Sequence, residues 1–229
     1  MKKLLLIALM AVCSLYVQAQ TTLLTKDNNS NSISYIRAGV NASTFSEYND
    51  IDGAETSLKI GYNVAYGFHK EFSQSGLYWG MEAGLGSRGY IMSYDGYYDG
   101  DAMSLRDDLW AHNVQVTPLN LGFKHEIANN LKIDIHVGGY ASYDYAGSYC
   151  IKDDDNSNEK GNTLEYYSLG ELESYKAYDA GMTVGLGVWF NNKYNLDFNF
   201  QNGFIGINEN GGDDNPKTRN FSVRLGIGF

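Results

Sequence analysis

Cysteine and proline are nearly absent: 229 residues contain 2 of each. Cys13 lies in an N-terminal apolar run and only Cys150 follows it, so no disulfide framework can staple the body of the chain. Long apolar runs are missing too. Past residue 20 no stretch reaches 18 consecutive apolar residues, which excludes a transmembrane helix. Positive charge is scarce, with 17 Lys and Arg against 27 Asp and Glu and a formal net charge of −10. A surface that binds nucleic acid by releasing counterions is thereby excluded. None of these deficits excludes a β-barrel in a membrane, because only alternate residues of each strand need face lipid. What is abundant fits a folded chain: 43% hydrophobic and 14% aromatic residues, including 19 Tyr, together with 26 Gly.

The first residues, MKKLLLIALMAVCSLYVQAQ, place two lysines before an apolar run from Leu4 to Val17 and end in Val17-Gln18-Ala19. This is the layout of an export signal. A buried N-terminal helix is the alternative. Cys13 invites lipidation, but Val12 before it is bulkier than the Gly, Ala or Ser such a site prefers. The expected organisation is a signal peptide at 1–19, a short periplasmic lead at 20–32 and one barrel domain at 33–229. Loss of Lys2 and Lys3 leaves 15 basic against 27 acidic residues, a net charge of −12.

Beyond the signal the apolar period is 2, the signature of half-exposed strands. In 220–229 every odd position from Phe221 to Phe229 is apolar and every even one is polar or Gly. The same alternation runs through 178–188, 131–137, 194–201 and 58–69, and more weakly through 36–41, 77–86 and 119–124. Pro118 interrupts the pattern just before the last of these and predicts a bulge, since proline cannot donate to a ladder. Eight strands of about 9 to 12 residues is the size of the smallest membrane barrels. Connections alternate long (45–56, 93–112, 146–174, 208–217) with short (71–75, 128–130, 191–193), as expected for long outer loops and tight periplasmic turns. The long segments carry 19 of the 27 acidic residues. Runs such as Asp153-Asp154-Asp155 must face water. Clustered carboxylates also suit Ca²⁺, but no segment has the spacing of a twelve-residue calcium loop.

The fold class expected is therefore all-β, an eight-stranded antiparallel up-and-down transmembrane barrel. With apolar stripes facing lipid, the alternate set points inward and predicts a lumen network of Arg37, Lys59, Glu82, Arg88, Lys132, Asp134, His136, Asp179, Asp197 and Arg224. Unpaired, each buried ion would cost several kcal/mol, so pairing across the lumen is expected. Inward glycines, including 61, 67, 80, 181 and 185, relieve crowding in so narrow a barrel. Tyr62, Tyr66, Phe68, Trp79, Tyr143, Tyr145, Phe190 and Tyr194 can form interfacial girdles. The competing arrangement is a soluble ligand-binding barrel with the stripes turned inward.

Several segments together resemble the Bacteroidota outer-membrane β-barrel family that includes PorT-like proteins. They are Gln18-Ala19-Gln20, Arg37-Ala38-Gly39-Val40-Asn41, Pro118-Leu119-Asn120-Leu121, Gly138-Gly139-Tyr140, Tyr178-Asp179-Ala180-Gly181, Val184-Gly185-Leu186-Gly187-Val188 and Leu225-Gly226-Ile227-Gly228-Phe229. The resemblance implies residence in the outer membrane, a barrel-assembly signal at Phe229 and, for PorT-like members, association with secretion.

For catalysis, His112 near Asp107 and Asp108 in a long acidic segment is the best acid/base neighbourhood, but no serine has a spacing that fixes it there. His136 beside Asp134 reads as part of the lumen network, and no metal pair is supported by the spacing of His69 and His125. Gly84-Leu85-Gly86-Ser87-Arg88-Gly89 fits a nucleotide-loop pattern but lies in a strand with no helix after it. The reading is a non-enzymatic structural or surface-interaction protein with no cofactor and no metal. Its expected partners are outer-membrane lipid, the barrel-assembly machinery and a surface protein engaging loop 146–174 through Asp153, Asp154, Asp155, Tyr166 and Tyr167; nucleic acid is not one. That loop could be mobile, or could continue the barrel strands upward as a hairpin. An outer-membrane enzyme acting on lipid or peptide is the alternative.

Overall fold

The computed structural model describes residues 32–46, 54–72, 75–99, 101–153, 163–172, 174–208 and 215–229. The expected signal peptide lies outside the described residues. Among the described residues nine strands form one antiparallel sheet: β1 (Ser32–Phe45), β2 (Glu55–Glu71), β3 (Leu77–Tyr98), β4 (Asp101–Ala128), β5 (Leu131–Asp153), β6 (Thr163–Ser168), β7 (Tyr178–Phe190), β8 (Tyr194–Gly206) and β9 (Lys217–Gly228). Eight of them close into a ring in which β4 pairs with β5 and β9 returns to β1, while β6 pairs only with the far end of β5.

Alternation sets the two faces. Ile36, Val40, Val64, Leu121, Ile135, Val184, Leu186 and Leu225 are exposed on the outside, whereas Arg37, Asn41, Asp134, His136, Asp179, Asp197 and Arg224 are buried within. An apolar belt around the whole ring is incompatible with water and fits lipid, which removes the soluble-barrel alternative. The turns after β4 and β7 use left-handed Asn130, Asn191 and Asn192, the conformation asparagine tolerates best among non-glycine residues. The bulge expected at Pro118 is present: the β4 ladders slip between Val116 and Leu119 on one side and opposite Gly80 to Glu82 on the other.

Two connections differ from expectation. The segment 93–112 is not a loop but the upper part of a hairpin in which β3 has 22 residues and β4 has 28. Its register closes on Tyr98 opposite Asp101. The Asp99-Gly100 dipeptide between them is a strong two-residue hairpin signal, and Asp99 has φ 51°. Likewise β5 continues through Asp153, and 163–168 forms β6 against it rather than extending β7. The upper parts of β3, β4 and β5 together with β6 thus make a four-stranded sheet that rises past the ring.

Candidate functional site

The lumen is built in layers. At the periplasmic end Trp189, wholly buried, donates to Asp134 Oδ2 at 3.1 Å, and Tyr78 donates to Oδ1 at 2.6 Å. Lys124 Nζ sits 4.1 Å from the Trp189 ring centroid and 2.5 Å from His69 Nε2. Rings this large fit because glycine stands opposite them: a Cβ on Gly122 would lie 2.3 Å from the Tyr78 ring, and one on Gly67 2.6 Å from Tyr35.

The next layer crosses the barrel with four charges. Arg37 donates to Asn195 at 2.8 Å and to Glu82 at 3.1 Å, and lies 3.5 Å from Asp197. Arg224 donates to Asp197 at 2.8 Å through Nε and bonds Glu82 through Nη1. Two cations face two anions, which is the pairing a buried ionic layer needs. His136 lies 3.6 Å from both Asp134 and Asp197, and its ring fits only because position 185 lacks a Cβ, which would be 2.1 Å from Nε2. Above this, neutral groups fill the middle: Asn41 donates to Asn220 at 3.0 Å and Asn199 to Thr183 at 2.7 Å. A polar cavity of only about 10 Å³ remains, lined in part by Glu82, Asn120, His136 and Arg224. Space this small and polar suits water molecules.

A second ionic layer lies below the outer mouth. Arg88 bonds Asp144 at 2.8 Å and Asp179 at 2.7 Å. Tyr140 donates to Asp179 at 2.9 Å, and Tyr175 donates to Asp144 from the segment that follows β6. Over it Phe45, Leu109 and Ile207 form an apolar cluster against which Tyr90, Tyr149, Leu169, Leu172 and Tyr175 pack. Leu169, Leu172 and Tyr175 therefore fold across the mouth.

Nine of the ten residues expected in the lumen point inward, with Lys132 half-buried at the periplasmic mouth, in register with Trp189. Lys59 is a correction. Beside it the β2–β3 ladder slips between Leu58 and Asn63, and its ammonium bonds Asp108. Asp108 alternates with the buried Asp107 and Leu109 and so faces outward. The bulge redirects the side chain to an outward carboxylate. His112 is also relocated. It stands on the outer face of β4, 3.1 Å from the Tyr62 hydroxyl and 5.1 Å from the Trp110 ring, rather than in a long acidic loop. Of the loop residues, Asp153 ends β5, Tyr166 on β6 is 64% exposed, and Tyr167 donates to Glu165 at 2.6 Å; Asp154 and Asp155 lie outside the described residues. Among the described residues no group of three His, Cys, Asp or Glu side chains could hold a metal ion. Reasoning from sequence missed Asp144, Tyr35, Tyr78 and Trp189. Asp144 was legible, since it continues the inward set of β5 between the outward Tyr143 and Tyr145.

The level of Tyr62, Trp110 and Tyr143 ends the membrane-spanning segments. Just above it, Asp107 is buried inside and accepts from Tyr149 at 2.6 Å and Tyr94 at 3.3 Å. Burial pushes its carboxyl above the usual range, only partly offset by those hydrogen bonds. Tyr94 is itself pushed up to about 12, first by burial and then by Asp107. Burial also raises Asp108, but hydrogen bonds from Lys59 and Lys152 outweigh it and hold that carboxyl below the usual range.

A family model described as outer membrane protein beta-barrel domain matches residues 18–209. Solved structures similar to this chain include Ail of Yersinia pestis in complex with the heparin analogue sucrose octasulfate (14% identity, 87% of this chain and 99% of that one, TM-score 0.38). Neisserial surface protein A is similar at 11% identity over 86% of this chain and 97% of its own, with a TM-score of 0.41. OprG of Pseudomonas aeruginosa is similar at 11% identity over 87% and 97%, with a TM-score of 0.40. No curated protein matches the sequence significantly.

Proposed function

We propose that this chain, which belongs to the outer membrane protein beta-barrel domain family and resides in the bacterial outer membrane, is a closed barrel that presents an interaction surface outside the cell. The observation that carries the reading is the pairing of a filled lumen with the sheet of β3, β4, β5 and β6 above it. A lumen crossed by two ionic layers and capped by Phe45, Leu109 and Ile207 leaves no continuous water path, so the role is not that of a pore. Among the described residues the upper sheet has an open edge at β6, and it displays Tyr166 and Tyr97, 64% and 79% exposed. Open edges and exposed tyrosines favour capture of a protein partner. The role is non-enzymatic. The Arg37–Asn41, Pro118–Leu121 and Leu225–Phe229 segments support placement in the Bacteroidota, PorT-like branch.

A photo-crosslinking residue at Tyr166 in intact cells is expected to give adducts with a surface macromolecule, whereas the same residue at lipid-facing Val184 gives none. Equal adduct patterns at the two sites would overturn the reading. Phe229 is the proposed assembly signal: its side chain is outward and 58% exposed at the periplasmic rim, and its backbone pairs with Ser34. Deleting it is expected to lower outer-membrane yield while leaving refolding in detergent unchanged.

A further inference from the structure

β6 ends the sheet order, and among the described residues the backbone of 163–168 bonds to β5 and, at the Ser168 N–H, to the Glu171 carboxylate, with nothing along its other side. The pairs from Ser148–Ser168 to Ile151–Glu165 run without a slip, so the outer edge of β6 is as regular as the inner one. An edge of this kind is a row of unpaired N–H and C=O groups, a template for one more strand.

The two faces beside the edge differ. Glu165 and Tyr167 lie on the inner face, in register with Ile151 and with Tyr149, whose hydroxyl reaches the buried Asp107. Glu165 accepts from Tyr167 at 2.6 Å and from Tyr98 at 3.5 Å, one on each carboxylate oxygen. The carboxylate is therefore held in place and keeps lone pairs for a further donor. Tyr166 stands on the outer face opposite Cys150 and is exposed. A strand laid along β6 meets a held carboxylate with one row of its side chains and an exposed aromatic ring with the other.

Charge decides what that strand carries. The sequence segments 45–56, 93–112, 146–174 and 208–217 hold 19 acidic residues against Arg106, Lys152, Lys160 and Lys217. Counting Lys59, Lys176 and Arg219 at the same end of the barrel raises the basic side only to seven. A second copy of the chain brings the same acidic excess and is repelled, whereas a basic segment is attracted.

We propose that the free edge of β6 takes up an extended segment of a partner protein in which basic residues alternate with apolar ones, the basic row beside Glu165 and the apolar row beside Tyr166. The inference rests on the surface-interaction reading above and specifies the partner: ladder bonds supply affinity, and the alternation supplies selection.

The test uses full-length protein in detergent and a short labelled peptide alternating Lys and Val, followed by fluorescence anisotropy. The peptide is expected to bind and its Glu–Val counterpart not to. Only one edge of an added strand pairs, so N-methylation of one alternate set of amides is expected to weaken binding more than about tenfold, and methylation of the other set to leave it within about twofold. E165Q is expected to bind about fivefold more weakly, and Tyr166→Ser, which leaves the carboxylate in place, about threefold. E126Q, at the periplasmic end of β4, is expected to bind normally. Equal effects of the two methylated sets mean charge attraction without strand pairing and overturn the proposal, as does equal binding of the Glu–Val peptide. Unchanged binding in E165Q or, should that variant not fold, in Tyr166→Ser overturns the site, and so does equal loss in E126Q. A dimer that the Lys–Val peptide dissolves assigns the edge to a second copy and overturns the partner. Adducts at Tyr166 in cells without peptide binding overturn the strand addition alone, whereas equal adducts at Tyr166 and Val184 overturn the surface reading beneath it.

Discussion

Within the membrane, β4 turns Lys124, Asn120, Thr117 and Asn113 inward and Phe123, Leu121, Leu119 and Trp110 outward; above it, the same strand turns Leu109 and Leu105 inward and Asp108 and Arg106 outward. The period-2 rule is identical in the two regions. What reverses is which set is apolar, because the medium outside the wall changes from hydrocarbon to water. A single strand therefore records the outer boundary of the membrane between Asp108 and Trp110. The interior responds in step. Charges are paired across the lumen where lipid surrounds it, as in Arg37 and Arg224 with Glu82 and Asp197, and an ordinary apolar core of Phe45, Leu109 and Ile207 appears where water does.

The contrast can be broken most severely at the ionic layer. Arg224→Leu leaves the buried carboxylates Glu82 and Asp197 to share the single cation Arg37 and is expected to cost about 3 to 5 kcal/mol in denaturant unfolding from vesicles. A loss under about 1 kcal/mol would mean that water reaches the layer freely. Leu186→Arg on the lipid face is expected to cost about 2 to 4 kcal/mol. Glu55→Arg, above the boundary and exposed, should stay within about 0.5 kcal/mol by the same measurement. Similar losses at the two sites would erase the distinction between lipid and water.

Tyr175→Phe removes one charge-assisted hydrogen bond to Asp144 while Arg88 still pairs with it; about 1.5 kcal/mol is expected, seen as faster amide exchange at 169–172 and 174–175. The smallest effect is in pH, and it separates the two faces at a single height. Asp107 has its pKa raised, so the native state holds a proton more readily than the unfolded one. Stability from Asp107 therefore grows as pH falls through the raised pKa and levels off below the ordinary carboxylate value. Asp108 has its pKa lowered, so its contribution is present above the ordinary value and fades as pH falls through the lowered one. In Asp108→Asn, upper-hairpin amides of β3 and β4 are expected to become more protected on going from neutral pH to about 4, after correction for intrinsic exchange. Loss of protection would reverse the assignment for Asp107.

Strand positions and facing were legible wherever lipid enforces alternation, as in 178–188 and 220–229. The upper hairpin was not, because Tyr, Gly and Asp mixed through 93–112 read as loop composition, and only Asp99-Gly100 announces the turn. Lumen aromatics were missed for a related reason. Tyr35, Tyr78 and Trp189 look lipid-facing by residue type, and only their parity, together with Gly67 and Gly122 opposite two of them, places them inside. Lys59 had the right parity, but a bulge redirected it, and one register slip is invisible without the partner strand.

The pairing of β9 with β1 sets the order of events by which the protein comes into being. Val223 lies across from Val40, and Arg37 cannot meet Asp197, nor Arg224 meet Glu82, until the ring has closed. Hairpins can form early from neighbouring residues, yet the ionic layers are contacts between distant parts of the chain and are rewarded last. Until then Arg224 can meet Asp197 within the β8–β9 hairpin, but the pairs that cross the lumen are unmade, and each hairpin carries one apolar and one polar face. Closure of the ring, which brings Arg37 to Asp197 and Arg224 to Glu82, therefore comes late in the folding of the chain.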